Sequence, residues 1–356
     1  MPTVDTLGVT DLAYLTPDSA KAAPPALSSA LRSGGVWIVI PCYKVRNHIL
    51  RVIEKVPSWV EGIVCVDDAC PENSADFLEA EATDPRLVIV RLPKNLGVGG
   101  AVLAGYAEAE RRGARILVKV DGDDQMDITY LPQLVAPILL GEADYTKGNR
   151  FTSISHLGEM PRIRLFGNAA LSFAAKISTG YWNIFDPTNG FTAVEAAVMK
   201  QIFGRRISQR FFFETDLLYH LGTLRAVVRD VPIPARYGDE VSNLRISAIV
   251  GPFALKHLKN FVNRIVGQYF VRDFNVATIE MLFGIFFAAF GSIYGLHWIY
   301  VRQPGEDASA GLVMTAALPV MIGVQLLLQV INFDVVSVPN RPIHPYLRTL
   351  RQIEDC

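Results

Sequence analysis

Two stretches without charged residues most constrain how this chain of 356 residues can fold. Residues 281–301 and 311–333 contain no Asp, Glu, Lys or Arg. Each is close to the ~20 apolar residues that a helix needs to cross a bilayer, and their glycines and Pro319 are tolerated in membrane helices. A soluble core helix of this length and purity would be unusual. We therefore predict a transmembrane hairpin at residues 276–335, with spans of about 279–301 and 311–333.

Basic residues flank the outer ends of this hairpin. They are Lys256, Lys259, Arg264 and Arg272 before it, and Arg341, Arg348 and Arg351 after it. The link at residues 302–310 carries two acids against a single arginine. By the positive-inside rule, both ends of the hairpin are cytoplasmic. We expect an integral membrane protein whose larger domain faces the cytoplasm, at the inner or plasma membrane if the cell is bacterial.

The remaining segments around the hairpin differ in composition. Residues 1–33 are rich in Pro, Ala and Ser towards their end and lack the apolar run of a signal peptide, which predicts a flexible tail. Residues 246–275 alternate apolar and basic residues at helical spacing, which favours helices in the headgroup layer; a helix packed on the soluble domain is nearly as plausible. Residues 336–356 are expected to be a cytoplasmic tail. Four cysteines without C-x-x-C spacing indicate reduced thiols.

A soluble α/β domain is predicted for residues 34–245. Apolar strand candidates lie at residues 36–40, 62–67, 87–92, 116–120 and 144–147, and helix candidates at residues 47–55, 74–81, 99–112 and 128–140. This alternation is typical of a mostly parallel sheet with helices on both faces. The net charge of −1 does not suggest a nucleic-acid partner.

A cluster of acids ends the fourth predicted strand. Asp121 and Asp123 project on the same side of an extended segment, because side chains alternate with a period of two. Ligands of open α/β sheets bind at the carboxyl ends of the strands. Two neighbouring carboxylates suit Mg²⁺ or Mn²⁺ that bridges to a substrate phosphate. The alternative is a solvated acidic turn that caps the following helix.

Several motifs occur in a fixed order along this domain. They are VIPCY at residues 39–43, VDD at 66–68, KNLGVGGA at 94–101, DGDDQ at 121–125, KGNR at 147–150 and DPTNGF at 186–191. In this order and spacing the chain resembles the family 2 nucleotide-sugar glycosyltransferases of GT-A fold. More narrowly, it is similar to the polyprenyl-phosphate glycosyltransferases related to dolichol-phosphate mannose synthase. The resemblance covers about residues 36–245 and extends loosely through the hairpin.

The resemblance implies a donor site with a metal ion. Mg²⁺ or Mn²⁺ would be held by Asp121, Asp123 and Gln125. The residues implied to bind the nucleotide-sugar are Pro41, Tyr43, Asp68, Asn95, Gly97, Asp121 and Arg236. Asp67 is the alternative to Asp68, or simply braces the turn. Gly97, Gly99 and Gly100 open a helix whose N–H groups are expected to cradle phosphate.

The resemblance also implies an acceptor site and catalytic residues. Arg150 and Arg164 would clamp a lipid phosphate, with Asn168 beside them, because the guanidinium fork binds phosphate bidentately. The catalytic residues would be Asp123, Glu214 and Arg236. Glu214 is expected to orient the sugar or nearby arginines, since a phosphate acceptor is already ionised and needs no strong base. We expect Asp216 to start a helix and Lys119 to be a strand-edge residue.

The predicted function is inverting, metal-dependent transfer of a hexose. The donor would be a UDP- or GDP-linked sugar and the acceptor an undecaprenyl or dolichyl phosphate at the cytoplasmic membrane face. One alternative is a processive polysaccharide synthase, which would need a polymer channel and a Q-x-x-R-W motif that this sequence lacks. Another is a non-catalytic, membrane-anchored nucleotide-sugar sensor. Self-association into a homo-oligomer is left open by the two membrane helices.

Overall fold

The computed structural model describes residues 31, 33–151, 162–234, 246–301 and 307–354. The chain divides into two compact units, Met1–Leu258 with Pro339–Cys356 and Lys259–Val338. Most of the predicted tail at residues 1–33 and the whole of Arg236 lie outside the described residues.

The first unit contains a mixed sheet of seven strands in its described part. These are β1 (Val36–Cys42), β2 (Gly62–Asp67), β3 (Leu87–Arg91), β4 (Ile116–Lys119), β5 (Tyr145–Asn149), β6 (Thr192–Glu195) and β7 (Val228–Pro232). Their order is β3-β2-β1-β4-β6-β5-β7. Only β6 is antiparallel to its neighbours, β4 and β5. The predicted α/β fold with a mostly parallel sheet is therefore confirmed.

Helices connect these strands. They are α1 (Ile49–Glu54), α2 (Ser74–Glu81), α3 (Val98–Arg111), α4 (Leu131–Leu139), α5 (Arg162–Thr179), α6 (Ala196–Lys200) and α7 (Phe213–Leu224), and a 3₁₀ turn (Ile128–Tyr130) precedes α4. The five predicted strands are found with ends shifted by at most two residues. The apolar strands are buried because helices shield the sheet, and Ile38, Ile63 and Val118 are fully buried.

The last part of the chain packs back onto this first unit. Helix α11 (His344–Glu354) follows the predicted membrane hairpin in sequence, and Nδ1 of its first residue lies 2.8 Å from Oδ1 of Asp144. Both side chains are almost fully buried. Nε of Arg348 donates to Oε1 of Glu195 over 2.7 Å. The segment predicted as a tail therefore includes a helix that is anchored to the sheet domain by buried polar contacts.

The second unit holds the hairpin. Helix α8 (Ile246–Ile265) enters it and continues as a π-helical segment (Val266–Arg272), which is followed by α9 (Val276–Val301) and α10 (Ala310–Val336). Helices α9 and α10 are long and apolar enough to cross a membrane, by length and composition. The backbones of the two helices approach closely where a Cβ on Gly291 would lie 2.5 Å from the carbonyl oxygen of Ala316. Asp334 is held by Arg264, at 2.6 Å, and by the Tyr269 hydroxyl, at 2.7 Å.

Candidate active site

The acidic turn after β4 gives its three aspartates different surroundings. Asp124 adopts a left-handed conformation with φ of 64° and pairs with Nζ of Lys55 at 2.5 Å. Oδ1 of Asp123 accepts the backbone N–H of Gln125 over 3.1 Å. Asp121, Asp123 and Gln125 are all half-buried. The ion pair therefore ties Asp124 to Lys55, directly after helix α1, and the other two acids lie at the carboxyl end of the sheet.

Lys119, the last residue of β4, is buried next to the acidic turn. Its Nζ is 2.9 Å from Oδ1 of Asp121 and 3.1 Å from Oε1 of Glu214, and its side chain is 2% exposed. Burial alone would lower the pKa of Lys119, but these two carboxylates outweigh burial and raise the pKa above its ordinary value. Lys119 was expected to be a strand-edge residue; the structure places its side chain inside the protein, where it pairs with two predicted site residues.

The donors of the predicted metal site fit a divalent cation of the Mg²⁺ type. Asp121, Asp123 and Gln125 offer carboxylate and amide oxygens from a single turn, and hard oxygen ligands are what Mg²⁺ and Mn²⁺ prefer. Across the described residues, no group of three or more His, Cys, Asp and Glu side chains is placed to hold a metal. The predicted set has only two such residues, so its other ligands would come from water and from the diphosphate of the donor.

The second acidic pair, Asp67 and Asp68, stabilises the loops after β2 and β3. Oxygens of Asp67 accept the N–H groups of Cys70 (2.7 Å) and Ala75 (2.8 Å), so Asp67 braces the turn. Oxygens of Asp68 accept the N–H groups of Leu96 (2.6 Å) and Gly97 (2.8 Å). Asn95 Nδ2 also donates to the carbonyl oxygen of Asp68. Three predicted donor-binding residues, Asp68, Asn95 and Gly97, thus meet in one hydrogen-bonded loop.

The start of helix α3 does not offer the expected phosphate cradle. The N–H groups of Gly99 and Gly100 donate to the carbonyl oxygen of Gln209 over 2.8 and 3.2 Å. The N–H of Gly97 is taken by Asp68. The prediction of free N–H groups at this helix end is therefore wrong, because a loop distant in sequence satisfies them. Glycine is needed at position 97, where φ is +84° and a Cβ would lie 2.8 Å from Gln209.

The first predicted arginine of the acceptor clamp is already positioned by an acid. Arg150 donates through Nε to Oδ2 of Asp186 (2.7 Å) and through a terminal nitrogen to Oδ1 (3.0 Å). Asp186 is 1% exposed, whereas Arg150 is 41% exposed. Phe151 and Phe185 form an edge-to-face pair beside this ion pair, with centroids 5.5 Å apart. A buried acid therefore fixes a solvent-accessible guanidinium.

The structure places the other predicted residues less completely. Asn168 is half-buried in α5, while the side chain of Arg164, in the same helix, lies outside the described residues. Pro41 is in β1 and Tyr43, just beyond it, is 44% exposed. Asp216 lies in the first turn of α7, as expected of a helix-start residue, and accepts the N–H of Ser208 over 2.7 Å.

Comparisons with known proteins identify the domain. Residues 37–203 match the family described as glycosyl transferase family 2. This chain carries a family 2 glycosyltransferase domain. A UDP-N-acetylglucosamine–dolichyl-phosphate N-acetylglucosaminyltransferase of Methanococcus voltae is 24% identical over 216 residues, which covers 57% of this chain and 86% of that protein. An undecaprenyl-phosphate mannosyltransferase of Micrococcus luteus is 28% identical, covering 56% of this chain and 82% of the relative.

One further relative and one solved structure are also similar to this chain. A polyprenol monophosphomannose synthase of Mycolicibacterium smegmatis is 26% identical, over 55% of this chain and 75% of that protein. A solved structure of glucosyl-3-phosphoglycerate synthase from Mycobacterium tuberculosis, in complex with Mn²⁺, UDP-glucose and phosphoglyceric acid, has a TM-score of 0.48 and 15% identity, covering 70% of this chain and 84% of that chain. Similarity at that level says nothing about the donor, acceptor or metal of this glycosyltransferase.

Sequence analysis missed a second buried lysine of this glycosyltransferase. Lys147, in β5, is fully buried and donates to the carbonyl oxygen of Asn189 in the loop that also carries Asp186. Burial lowers the pKa of Lys147 to about 8. Its position in the KGNR motif was the available signal, but the sequence gives no sign that its side chain points into the protein.

Because Lys147 is buried, we expect the free energy of unfolding of the glycosyltransferase to rise with pH in the alkaline range. Its folded-state pKa of about 8 lies below its ordinary value of 10.5, so the unfolded chain binds more protons between these two pH values. Stability relative to a Lys147→Met variant is therefore expected to rise by about 1–3 kcal/mol from pH 7.5 to 10.5. Urea unfolding of both proteins across this range measures it, and parallel pH profiles would contradict the assignment.

Gly190 provides a second prediction. A Cβ at this position would meet Nζ of Lys119 and would lie 2.7 Å from Oδ2 of Asp121. Both atoms are side-chain ends rather than backbone, so we expect Gly190→Ala to fold yet to displace the cluster and lower kcat/KM by about 10–100-fold. Gly251→Ala is the control, because a Cβ there meets nothing within 4 Å. Equal activity of the two variants would show that the cluster tolerates displacement.

Proposed function

We propose that this glycosyltransferase transfers one hexose from a nucleotide-sugar to a polyprenyl phosphate, with inversion, at the cytoplasmic face of a membrane. The observation that carries the proposal is the acidic turn Asp121–Gln125, joined through Lys119 to Glu214 at the carboxyl end of the sheet. The relatives named above act on lipid phosphates according to their names. Two candidate membrane helices in the same chain support a lipid acceptor.

The donor would bind along the carboxyl ends of β1, β2 and β4. Pro41 and Tyr43 flank the end of β1, and the loop held by Asp68 supplies Asn95 and Gly97. Asp121 would face the diphosphate, and Arg236, which lies outside the described residues, would reach it from the segment after β7. Ligands of open α/β sheets bind at this edge. The identity of the base and of the hexose is set by contacts in these loops.

Asp121, Asp123 and Gln125 would hold a divalent cation beside the diphosphate. When bound, Mg²⁺ or Mn²⁺ offsets the charge that develops on the leaving diphosphate. Asp123 contributes charge from a turn that its own hydrogen bond to the Gln125 N–H stabilises. The ion pair with Lys119 keeps the carboxylate of Asp121 oriented towards the end of strand β4. The chain thus prepares the charged environment before the substrates arrive.

The acceptor phosphate would be bound by Arg150, Arg164 and Asn168. Asp186 holds Arg150 through two hydrogen bonds, which fixes the plane of its guanidinium. A phosphate monoester is largely ionised at neutral pH, because its second pKa is ~6. Its oxygen can attack the anomeric carbon, opposite the departing diphosphate, without a general base. Glu214, which is paired with Lys119, is accordingly assigned to orientation rather than proton removal.

The hairpin would bring this site to the acceptor. The first unit contains chain from before and after the hairpin, Met1–Leu258 and Pro339–Cys356. Both ends of a hairpin that spans the membrane would therefore lie on one side of it. The basic residues that flank the hairpin favour the cytoplasmic side. The apolar and basic helix α8 is assigned to the headgroup layer.

Purified full-length chain, undecaprenyl phosphate and a panel of radiolabelled UDP- and GDP-sugars test the proposal. Each donor is assayed with Mg²⁺, with Mn²⁺ and with a chelator. We expect label in the lipid phase from one donor class, only with metal. Label in an insoluble polymer would favour a processive synthase. Donor binding without any labelled lipid would favour a sensor, and transfer in the presence of chelator would remove the metal from the mechanism.

A further inference from the structure

Lys119 is a buried cation that joins two parts of the site. Its ammonium group contacts Asp121 in the acidic turn and Glu214 in helix α7, which lies 95 residues further along the chain. Glu214 is 9% exposed and Lys119 is 2% exposed. Ionised groups are rarely buried this deeply unless they are paired. The pairing therefore holds both carboxylates in defined positions before any substrate binds.

The surroundings of Lys119 leave its ammonium little freedom. Gly190 lies directly over the ammonium and over Oδ2 of Asp121, so that even a methyl group there would contact both. Contacts with Asp121, Glu214 and the Gly190 backbone region thus surround the nitrogen. Asp121, Asp123 and Glu214 carry three negative charges against the single charge of Lys119, so the cluster retains two negative charges. That charge matches one divalent cation.

We propose that Lys119 is a positioning residue that acts as a resident cation of the metal site. Its ammonium contacts Oδ1 of Asp121 at 2.9 Å, so a divalent cation would have to share Asp121 with this positive charge. Metal binding alone is therefore weak. The diphosphate of the donor adds negative charge and makes binding favourable, so metal and donor bind together. This inference rests on the proposed function, because it takes Asp121 as a metal ligand.

The double variant Lys119→Met/Glu214→Gln tests this role. It removes the ammonium together with its buried partner, so the formal charge of the cluster is unchanged and no carboxylate is left buried without its cation. Mn²⁺ binding is measured by electron paramagnetic resonance on the full chain, without donor or lipid. We expect about tenfold tighter binding than in the unmodified chain, because the nearest competing charge is gone. The single variant Lys119→Met should shift affinity in the same direction.

Lys147→Met is the matched control. It removes another fully buried lysine, whose described hydrogen bond is to the carbonyl oxygen of Asn189 rather than to Asp121. We expect its Mn²⁺ affinity to stay within about twofold of the unmodified chain. Adding UDP or GDP should tighten Mn²⁺ binding more in the unmodified chain than in the double variant. A merely structural role for Lys119 would weaken Mn²⁺ binding or leave it unchanged.

Three results would overturn the inference. They are unchanged or weaker Mn²⁺ binding by the folded double variant, equal tightening in Lys147→Met, and a tightening by UDP or GDP that is as large in the double variant as in the unmodified chain. The Mn²⁺ measurement uses neither lipid nor sugar, so it separates this inference from the proposed function. Tighter Mn²⁺ binding by the double variant, together with no sugar transfer to lipid by the unmodified chain, would support the role of Lys119 and refute the lipid acceptor. Sugar transfer to lipid by the unmodified chain, without tighter Mn²⁺ binding by the double variant, would support the proposed function and refute the role of Lys119.

Discussion

Replacing Asp123 by asparagine is expected to lower the rate of sugar transfer by about 10²–10³-fold. Asparagine keeps an oxygen that can accept the Gln125 N–H, so the turn is expected to persist. What is lost is one of two charges that would hold the divalent cation against the leaving diphosphate. The turnover number under saturating donor and metal measures the effect, and thermal unfolding checks that the fold is retained.

Asp124→Asn is the matched control for this variant. It makes the same chemical change one residue away, at a position where asparagine tolerates the left-handed φ of 64°. Asp124 is paired with Lys55, whose side chain is 47% exposed, so its loss is expected to be a small effect. Transfer rates for the two variants that agree within about threefold would show that position 123 has no special role, against the mechanism of charge stabilisation.

Replacing Asp144 by alanine is expected to lower the free energy of unfolding by about 3–5 kcal/mol. The carboxylate is fully buried and accepts the N–H groups of Val227 (2.7 Å), Ile343 (3.0 Å) and His344 (2.8 Å). It also faces the imidazole of His344. Its removal leaves these donors without acceptors, and the segment after the hairpin loses its anchor on the sheet domain.

Urea unfolding of the detergent-solubilised chain measures this loss. Limited proteolysis should also cut the segment around residues 339–343 faster in Asp144→Ala than in the unmodified chain. Glu142→Ala is the control two residues away, because Glu142 forms a half-exposed ion pair with Arg229 that is worth at most about 1 kcal/mol. A difference between the two variants below about 1 kcal/mol would show that the C-terminal segment does not depend on Asp144.

The strands and helices that could be predicted from the sequence are those with a clear local pattern. Apolar runs predicted β1 to β5 to within two residues at each end. Strand β6, with four residues running directly into helix α6, has no such signal because it is short and pairs antiparallel in the middle of the sheet. The packing of α11 on the first unit was equally out of reach, since it depends on contacts between residues 200 positions apart.

The motifs of the candidate site could be predicted from the sequence, but the contacts between its residues could not. The acidic turn was found from Asp121 and Asp123, whose spacing is local. The pairing of Lys119 with Glu214 bridges 95 residues, and no local pattern indicates it. The prediction of a phosphate-binding helix start at α3 was wrong for the same reason. The carbonyl oxygen of Gln209, in a loop distant in sequence, accepts the N–H groups there. The site roles taken from the resemblance remain predictions.

The most direct test of the central claim compares two acceptors that differ in one group. The full chain is given its donor, a divalent metal and either a polyprenyl phosphate or the same polyprenol without phosphate, and the products are identified by mass spectrometry. We predict a polyprenyl phosphate that carries one hexose from the first acceptor and no product from the second. Equal glycosylation of the polyprenol, or no lipid product from either acceptor, would contradict transfer to a lipid phosphate.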